Sequence, residues 1–144
     1  MIIEGAVLVA ASDAVLRVSL TRHLTARGIA CDAAVDANGT ASRLSEKIYE
    51  MVLLELSLAG SSAAVIRQLA GLAVPLRPVV LAIATQEDLR LLDAEVVKLV
   101  LRRPFDVAAI ADVIRSCAAS GFGRRGVQAP PMMVPSARAR EFEN

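Results

Sequence analysis

Short apolar runs alternate along the chain with longer stretches in which apolar residues recur every three or four positions. The runs are typical of strands buried on both faces, and the helical spacing is typical of amphipathic helices. Strands are predicted at residues 5–11, 29–35, 51–56, 79–84 and 97–101. A helix is expected after each strand, so the pattern predicts a repeated strand–helix unit.

Capping and turn residues give the limits of the predicted helices. Helices are expected at residues 14–27, after a turn at 38–39, at 63–72, after Thr85 and at 107–119. Asp13, Thr85 and Asp106 are the predicted amino-terminal caps, and Gly28 is expected to end the first helix. The inward-facing residues predicted for the first, second and fifth helices are Val15, Leu16, Val18, Leu20 and Leu24; Ala41, Leu44 and Ile48; and Ile110, Val113, Ile114 and Cys117.

The order of these elements predicts an α/β fold. Right-handed crossovers between parallel strands place helices on both faces of the sheet, and chemistry in such folds collects at the carboxyl ends of the strands. From Gly121 onward, Gly, Arg, Pro and Met follow without periodicity. We therefore divide the chain into a globular domain, residues 1–120, and a flexible tail or linker, residues 121–144.

Composition narrows the possible functions. Hydrophobic residues make up 55% of the chain and aromatic residues 3%. No apolar stretch reaches the roughly 20 residues that a membrane span needs. The amino terminus lacks the basic region and cleavage site of a secretory signal, so we expect a cytoplasmic protein. Cys31 and Cys117 have no metal-ligand spacing and are predicted to be buried, reduced thiols.

Charge argues against a nucleic-acid partner. Sixteen Lys and Arg residues balance fifteen Asp and Glu residues, which leaves a net charge of +1, whereas nucleic-acid binders usually carry a basic excess. The predicted tail holds four arginines, but two glutamates lie close to them. These tail residues are Arg124, Arg125, Arg138, Arg140, Glu141 and Glu143. Steep salt dependence of binding would be needed to support a nucleic-acid function.

Four segments in order resemble a known family. They are Val7 to Asp13, Glu50 to Leu56, Pro78 to Leu81 and Arg103 to Asp106. Over residues 5–119 the chain resembles the receiver domain of bacterial two-component response regulators. The resemblance implies a (βα)5 flavodoxin-like fold with strand order 2-1-3-4-5. It also implies an aspartate phosphoacceptor ending the third strand, Mg²⁺ held by acidic residues after the first strand, a Thr or Ser after the fourth and a lysine near the fifth.

At these positions the sequence departs from the family pattern. The phosphoacceptor position is Glu55, which is one methylene longer than aspartate, and Asp13 is the one carboxylate near the acidic pair. Ala11 and Ser12 stand in place of the acidic pair, and Ile83, followed by Ala84, stands in place of the switch hydroxyl. Arg103 replaces the lysine, and Val100 replaces the aromatic residue of the fifth strand. A small slip in register would offer Thr85 as the hydroxyl. We therefore expect a degenerate pseudo-receiver with no catalytic residues and no cofactor, in which Mg²⁺ could bind only weakly, at Asp13.

Glu55 has two interpretations. Its carboxylate could lie where the phosphoryl oxygens of an activated receiver would sit, with Arg103 as a charge-assisted, bidentate partner. Alternatively, it is a tolerated polar residue at a solvent-reached strand end, paired with Arg103 or Arg102 for local charge balance. Sequence leaves both open.

The function predicted from these features is protein–protein recognition by a phosphorylation-independent adaptor of a two-component system. The alternative is an unconventional receiver that still accepts a phosphoryl group. Partners would be a histidine kinase, an output regulator or a second copy bound through the predicted fourth helix, fifth strand and fifth helix. Candidate interface residues on this surface are Leu91, Glu95, Lys98, Arg102, Val107, Ala108 and Ala111.

Overall fold

Parallel strands form one sheet in the computed structural model, which describes residues 6–84 and 95–119. The strands are β1 (Val7–Ala10), β2 (Cys31–Ala34), β3 (Met51–Glu55), β4 (Val79–Ala84) and β5 (Val97–Arg102). Their order is β2-β1-β3-β4-β5, and every neighbouring pair is parallel. The predicted fold class and strand order are confirmed. Parallel pairing brings the carboxyl ends of all the strands to one edge of the sheet.

Four α-helices connect or follow the strands within the described residues. They are α1 (Ala14–Ala26), α2 (Ala37–Glu46), α3 (Ser62–Ala70) and α4 (Val107–Ala119), and a short 3₁₀ turn covers Val74–Leu76. Side-chain oxygens of Asp13, Asp36 and Ser61 accept hydrogen bonds from first-turn amides of α1, α2 and α3. The α4 helix is the predicted fifth helix. The predicted fourth helix and the tail lie outside the described residues, as does Thr85.

Each face of the sheet has its own apolar core. On β3, Met51 and Leu53 point to the α1 and α4 side, whereas Val52 and Leu54 point to the α3 side. This alternation follows from the two-residue period of a strand, and all four side chains are fully buried. The sheet is therefore covered on both faces, as the continuous apolar runs predicted.

The inward face of α1 is narrower than predicted. Leu16, Leu20 and Leu24 are buried, but Val15 and Val18 are 80% and 51% exposed. The three leucines are spaced four residues apart and form one stripe, which leaves the two valines on the outer side of the helix.

The predicted limits of the second unit were also wrong in part. Residues 38 and 39 are not a turn, because Asp36 accepts a hydrogen bond from the Gly39 amide and α2 begins at Ala37. Thr40 is the fully buried residue of α2, while the predicted inward residues Ala41 and Leu44 are half-buried, and Leu44 packs against the core. Ile48 lies beyond the helix and is 56% exposed. In the described part of the chain, no helix has the length and apolarity that crossing a membrane requires.

Candidate functional site

Three charged side chains meet at the carboxyl edge of the sheet. Asp13 follows β1 as the cap of α1, Glu55 is the last residue of β3, and Arg103 follows β5. Their positions in the chain are far apart, but the parallel register places these strand ends side by side. The sequence-predicted positions Asp13, Glu55 and Arg103 therefore form one site.

The carboxylate of Glu55 is buried and accepts hydrogen bonds on both oxygens. Oε1 accepts from the Ser12 amide at 2.7 Å and from the Asp13 amide at 3.2 Å. Oε2 accepts from Nη2 of Arg103 at 2.5 Å. Only 5% of the Glu55 side chain is exposed, so the expectation of a solvent-reached strand end was wrong. The sequence indicated a charged residue at position 55 but not that it is buried. The loop after β1 covers it, because the amides of Ser12 and Asp13 bind its carboxylate.

Arg103 bridges two carboxylates and does not form a bidentate pair with one. Its Nη2 binds Glu55, while Nη1 donates to Oδ2 of Asp13 at 3.1 Å. The Arg103 side chain is 35% exposed, so the bridge lies at the mouth of the site. The peptide bond from Arg103 to Pro104 is cis. One guanidinium thus ties the loops after β1 and β5 to the end of β3.

Asp13 is held in its charged form by the start of α1. Its Oδ1 accepts from the amides of Val15 and Leu16. These backbone hydrogen bonds, with that of Leu16 foremost, and the adjacent Arg103 lower the pKa of Asp13 below its ordinary value.

The loop between β1 and α1 is fixed by further hydrogen bonds. The Ser12 hydroxyl donates to the carbonyl of Val35 at 2.7 Å and accepts from the amide of Ala59 at 2.8 Å. Nη1 of Arg17 donates to the carbonyls of Ala11 and Ser12 at 2.8 and 3.3 Å. Sequence analysis did not assign Arg17 a role at this site. Its position four residues after the cap was the available signal, because that spacing returns a side chain to the start of the helix.

The remaining pocket positions contribute no polar side chain. Ala11, Ile83 and Ala84 are at most 1% exposed and pack in the sheet. The residues at the carboxyl edge do not fit a hard divalent cation, because both oxygens of Asp13 and of Glu55 already accept hydrogen bonds and a guanidinium lies between them. Within residues 6–84 and 95–119, no three His, Cys, Asp or Glu side chains group in a way that could hold a metal ion.

The predicted interface residues differ in exposure. Glu95 and Lys98 are exposed, and Arg102, Val107 and Ala108 are half-buried. Ala111 is fully buried against the sheet and was wrongly assigned to the surface, because α4 turns that position inward together with Ile110 and Ile114. Leu91 lies outside the described residues.

Sequence analysis missed a second polar cluster, formed by Asp32, Lys47 and Tyr49. The Tyr49 hydroxyl donates to Oδ2 of Asp32 at 2.7 Å, and Nζ of Lys47 lies 3.1 Å from the same oxygen. Tyr49 is 1% exposed, and burial together with Asp32 raises its pKa, while the Tyr49 hydrogen bond and Lys47 lower the pKa of Asp32. This cluster joins β2 to the start of β3.

Cys31 and Cys117 are half-buried, and within the described residues neither takes part in a disulfide. Burial raises the pKa of each thiol, to about 11 for Cys31. The prediction that both are buried is therefore met only in part.

Comparison with solved structures assigns the fold. The chain is similar to a response regulator receiver protein from Burkholderia phymatum, with 25% identity and a TM-score of 0.62 over 88% of this chain and 99% of that one. A signal receiver domain from Bermanella marisrubri has 24% identity and a TM-score of 0.67 over 77% and 95% of the two chains.

A receiver domain protein from Methanospirillum hungatei JF-1 has 21% identity and a TM-score of 0.68, covering 83% of this chain and 97% of its own. Neither a protein-family model nor a curated protein matches the sequence. The neighbours are response regulator receiver domains, and the fold implied by the sequence motifs is confirmed.

Proposed function

We propose that this chain is a receiver-type signalling module that acts through protein–protein contacts without being phosphorylated. The observation that carries the proposal is the closed hydrogen-bond network of Glu55. Its carboxylate is buried, accepts two backbone amides on one oxygen and a guanidinium on the other, and so is neutralised by the protein itself. A carboxylate that must attack phosphorus needs an accessible lone pair and a cation for the incoming oxygens.

The surrounding residues also argue against phosphoryl transfer. Arg103 is engaged by two carboxylates, so its guanidinium would have to leave both before it could meet a phosphoryl group. Ile83 and Ala84 end β4 without a hydroxyl. The donor set at Asp13 offers no open oxygen for Mg²⁺. Among the residues that the structure describes, the acceptor, metal-ligand and lysine positions are therefore taken by residues with another role.

Glu55 then has a positive role in the proposed function. Its carboxylate holds the amides of Ser12 and Asp13 and the guanidinium of Arg103, which are the donors nearest to the end of β3. We infer that these hydrogen bonds of Glu55 keep the loops after β1 and β5 in one arrangement. Charge balance alone would need only the ion pair between Glu55 and Arg103. The additional hydrogen bonds from the amides of Ser12 and Asp13 fix the position of the carboxylate.

The proposed partners are signalling proteins such as a histidine kinase or an output regulator, and contact would take place in the cytoplasm. Glu95, Lys98 and Arg102 form the charged part of the candidate surface on and beside β5. Charged groups of both signs on one surface favour a partner of complementary charge pattern, or a symmetric second copy.

The experiment is treatment of the protein with acetyl phosphate and, separately, with beryllofluoride, each in the presence of Mg²⁺. Intact mass and two-dimensional amide NMR spectra are recorded before and after treatment. We expect no phosphoryl adduct and no change in the amide signals around Glu55. An adduct on Glu55, Asp13 or a nearby serine would overturn the proposal in favour of an unconventional phosphoacceptor.

Glu55→Asp is the matched variant, because it restores the acceptor residue and leaves Arg103 and Ile83 unchanged. We expect it to remain unmodified under the same conditions, since an acceptor without a cation site lacks the required charge neutralisation. Phosphorylation of this variant alone would mean that residue length, and not the loss of the cation site, blocks the reaction.

A further inference from the structure

We propose that Ser12 couples the carboxylate of Glu55 to the two segments where α2 and α3 begin. The inference rests on the proposed function, because it names the part of the molecule that the carboxylate of Glu55 holds in place. It concerns a positioning role of Ser12 and involves no reaction.

Ser12 uses two groups, its backbone amide and its hydroxyl, to form three hydrogen bonds to three segments. Its backbone amide donates to Oε1 of Glu55 at 2.7 Å. Its hydroxyl proton is committed to the carbonyl of Val35, just before α2, and a lone pair of the same oxygen accepts from the amide of Ala59, just before α3. A serine hydroxyl has one proton to donate, so these partners define its rotation. Displacement of the Ser12 backbone would therefore disturb both segments.

The two segments are also joined directly to each other. Ala37, the first residue of α2, donates its amide to the carbonyl of Ala59 at 2.8 Å, and Asp36 forms a parallel bridge with Ala59. Gly60 has a φ of 102°, and a Cβ at this position would lie 2.8 Å from the Cβ of Ala37. Backbone packing this close leaves no room for independent movement, so a change at Ala59 must be accommodated at Ala37.

The other oxygen of Glu55 serves a different part of the fold. Oε2 binds Arg103, which follows β5, and the neighbouring end of β4 offers only the apolar side chains of Ile83 and Ala84. Loss of the whole carboxylate should therefore affect both sides of the site. Loss of Arg103 should affect the β5 side and leave the starts of α2 and α3 unchanged.

Amide hydrogen exchange of Ala59 and Ala37, followed by NMR, tests the coupling. Ser12→Ala removes the acceptor of the Ala59 amide, and we expect its exchange to accelerate about tenfold. Glu55→Ala leaves the hydroxyl in place but frees the Ser12 amide, and we expect an acceleration of about threefold. The double variant should exchange no faster than Ser12→Ala, because both changes act through one connection.

Two controls separate local coupling from general loss of stability. Ser45→Ala removes a hydroxyl on α2 that, among the described residues, bonds within the helix to the carbonyl of Ala41, and should leave the Ala59 exchange rate unchanged. Exchange at Leu53, in the middle of β3, reports global opening, and the rates at Ala59 are compared with it. Arg103→Ala should also leave Ala59 unchanged relative to Leu53.

The inference is overturned if Glu55→Ala leaves Ala59 and Ala37 unchanged, or if the effects of Ser12→Ala and Glu55→Ala multiply as independent perturbations. It is also overturned if Ser45→Ala accelerates Ala59 as strongly as Ser12→Ala does. The coupling is tested by amide exchange, whereas the proposed function is tested by the formation of a phosphoryl adduct. Either one can therefore fail without the other.

Discussion

Substitution of Arg103 by alanine is the sharpest test of how the site is held together. The variant leaves the carboxylate of Glu55, which is 5% exposed, without its cation. Breaking a buried pair by removing one partner costs about 3–5 kcal/mol. Here the guanidinium is 35% exposed, so water screens the pair, and two backbone amides continue to bind Glu55. We therefore expect Arg103→Ala to lower the free energy of unfolding by about 2 kcal/mol.

Urea unfolding at neutral pH, followed by circular dichroism, measures this loss. The midpoint should fall while the dependence on urea concentration stays the same, because the variant changes stability and not the surface exposed on unfolding. Asp112→Asn is the control. It breaks the ion pair with Arg27, in which the Asp112 side chain is 64% exposed, and we expect it to lower the stability far less than Arg103→Ala does.

A second variant separates an unpaired buried charge from lost packing. Adding Glu55→Gln to Arg103→Ala removes the uncompensated charge and keeps a carbonyl oxygen for the amides of Ser12 and Asp13. The double variant should recover about 1 kcal/mol relative to Arg103→Ala alone. The reasoning fails if Arg103→Ala costs no more than Asp112→Asn, or if the two substitutions at the site simply add.

Three further predictions follow from residues away from this bridge. The pKa of Asp32 is lowered in the folded protein, so its ionised carboxylate stabilises the fold above pH 3.8, the ordinary pKa. This stabilisation is lost as the pH falls through the lowered pKa. Asp32→Asn should therefore flatten the acid limb of a stability–pH curve measured by urea unfolding. With a pKa of about 11, Cys31 should react with iodoacetamide at pH 8 far more slowly in the folded protein than in urea, and equal rates would contradict its partial burial. Gly60→Ala should destabilise the protein by about 1–2 kcal/mol more than Gly28→Ala, because both have positive φ but only at Gly60 would the new Cβ lie 2.8 Å from another atom, the Cβ of Ala37. Equal costs by urea unfolding would contradict that close approach.

The strands were predictable because a strand that is buried on both faces appears in the sequence as a continuous run of apolar residues. Met51 to Leu54 have no polar residue among them, as is typical of a short strand that is buried on both faces. Helix faces were harder to predict. Val15 and Val18 fit a helical spacing as well as Leu16 does, and only the position of α4 and the sheet decides which stripe is covered.

The site was predictable in position but not in geometry. Parallel topology and the family resemblance placed Glu55 and Arg103 at one edge. Their burial, and the division of one guanidinium between Glu55 and Asp13, depend on the path of the loop after β1. That path is set by Arg17 and Ser12 through backbone carbonyls and amides, which carry no sequence signal.

Tyr49 gives the protein a built-in optical reporter. The chain contains no tryptophan and one tyrosine, so tyrosine emission from the folded protein arises from a single ring. That ring is buried, and its hydroxyl is bonded to the Asp32 carboxylate, a contact that quenches phenol emission by drawing on the excited-state proton. Unfolding should therefore brighten the fluorescence. Because Tyr49 belongs to the apolar core between the sheet and α3, the signal follows that core without any attached dye.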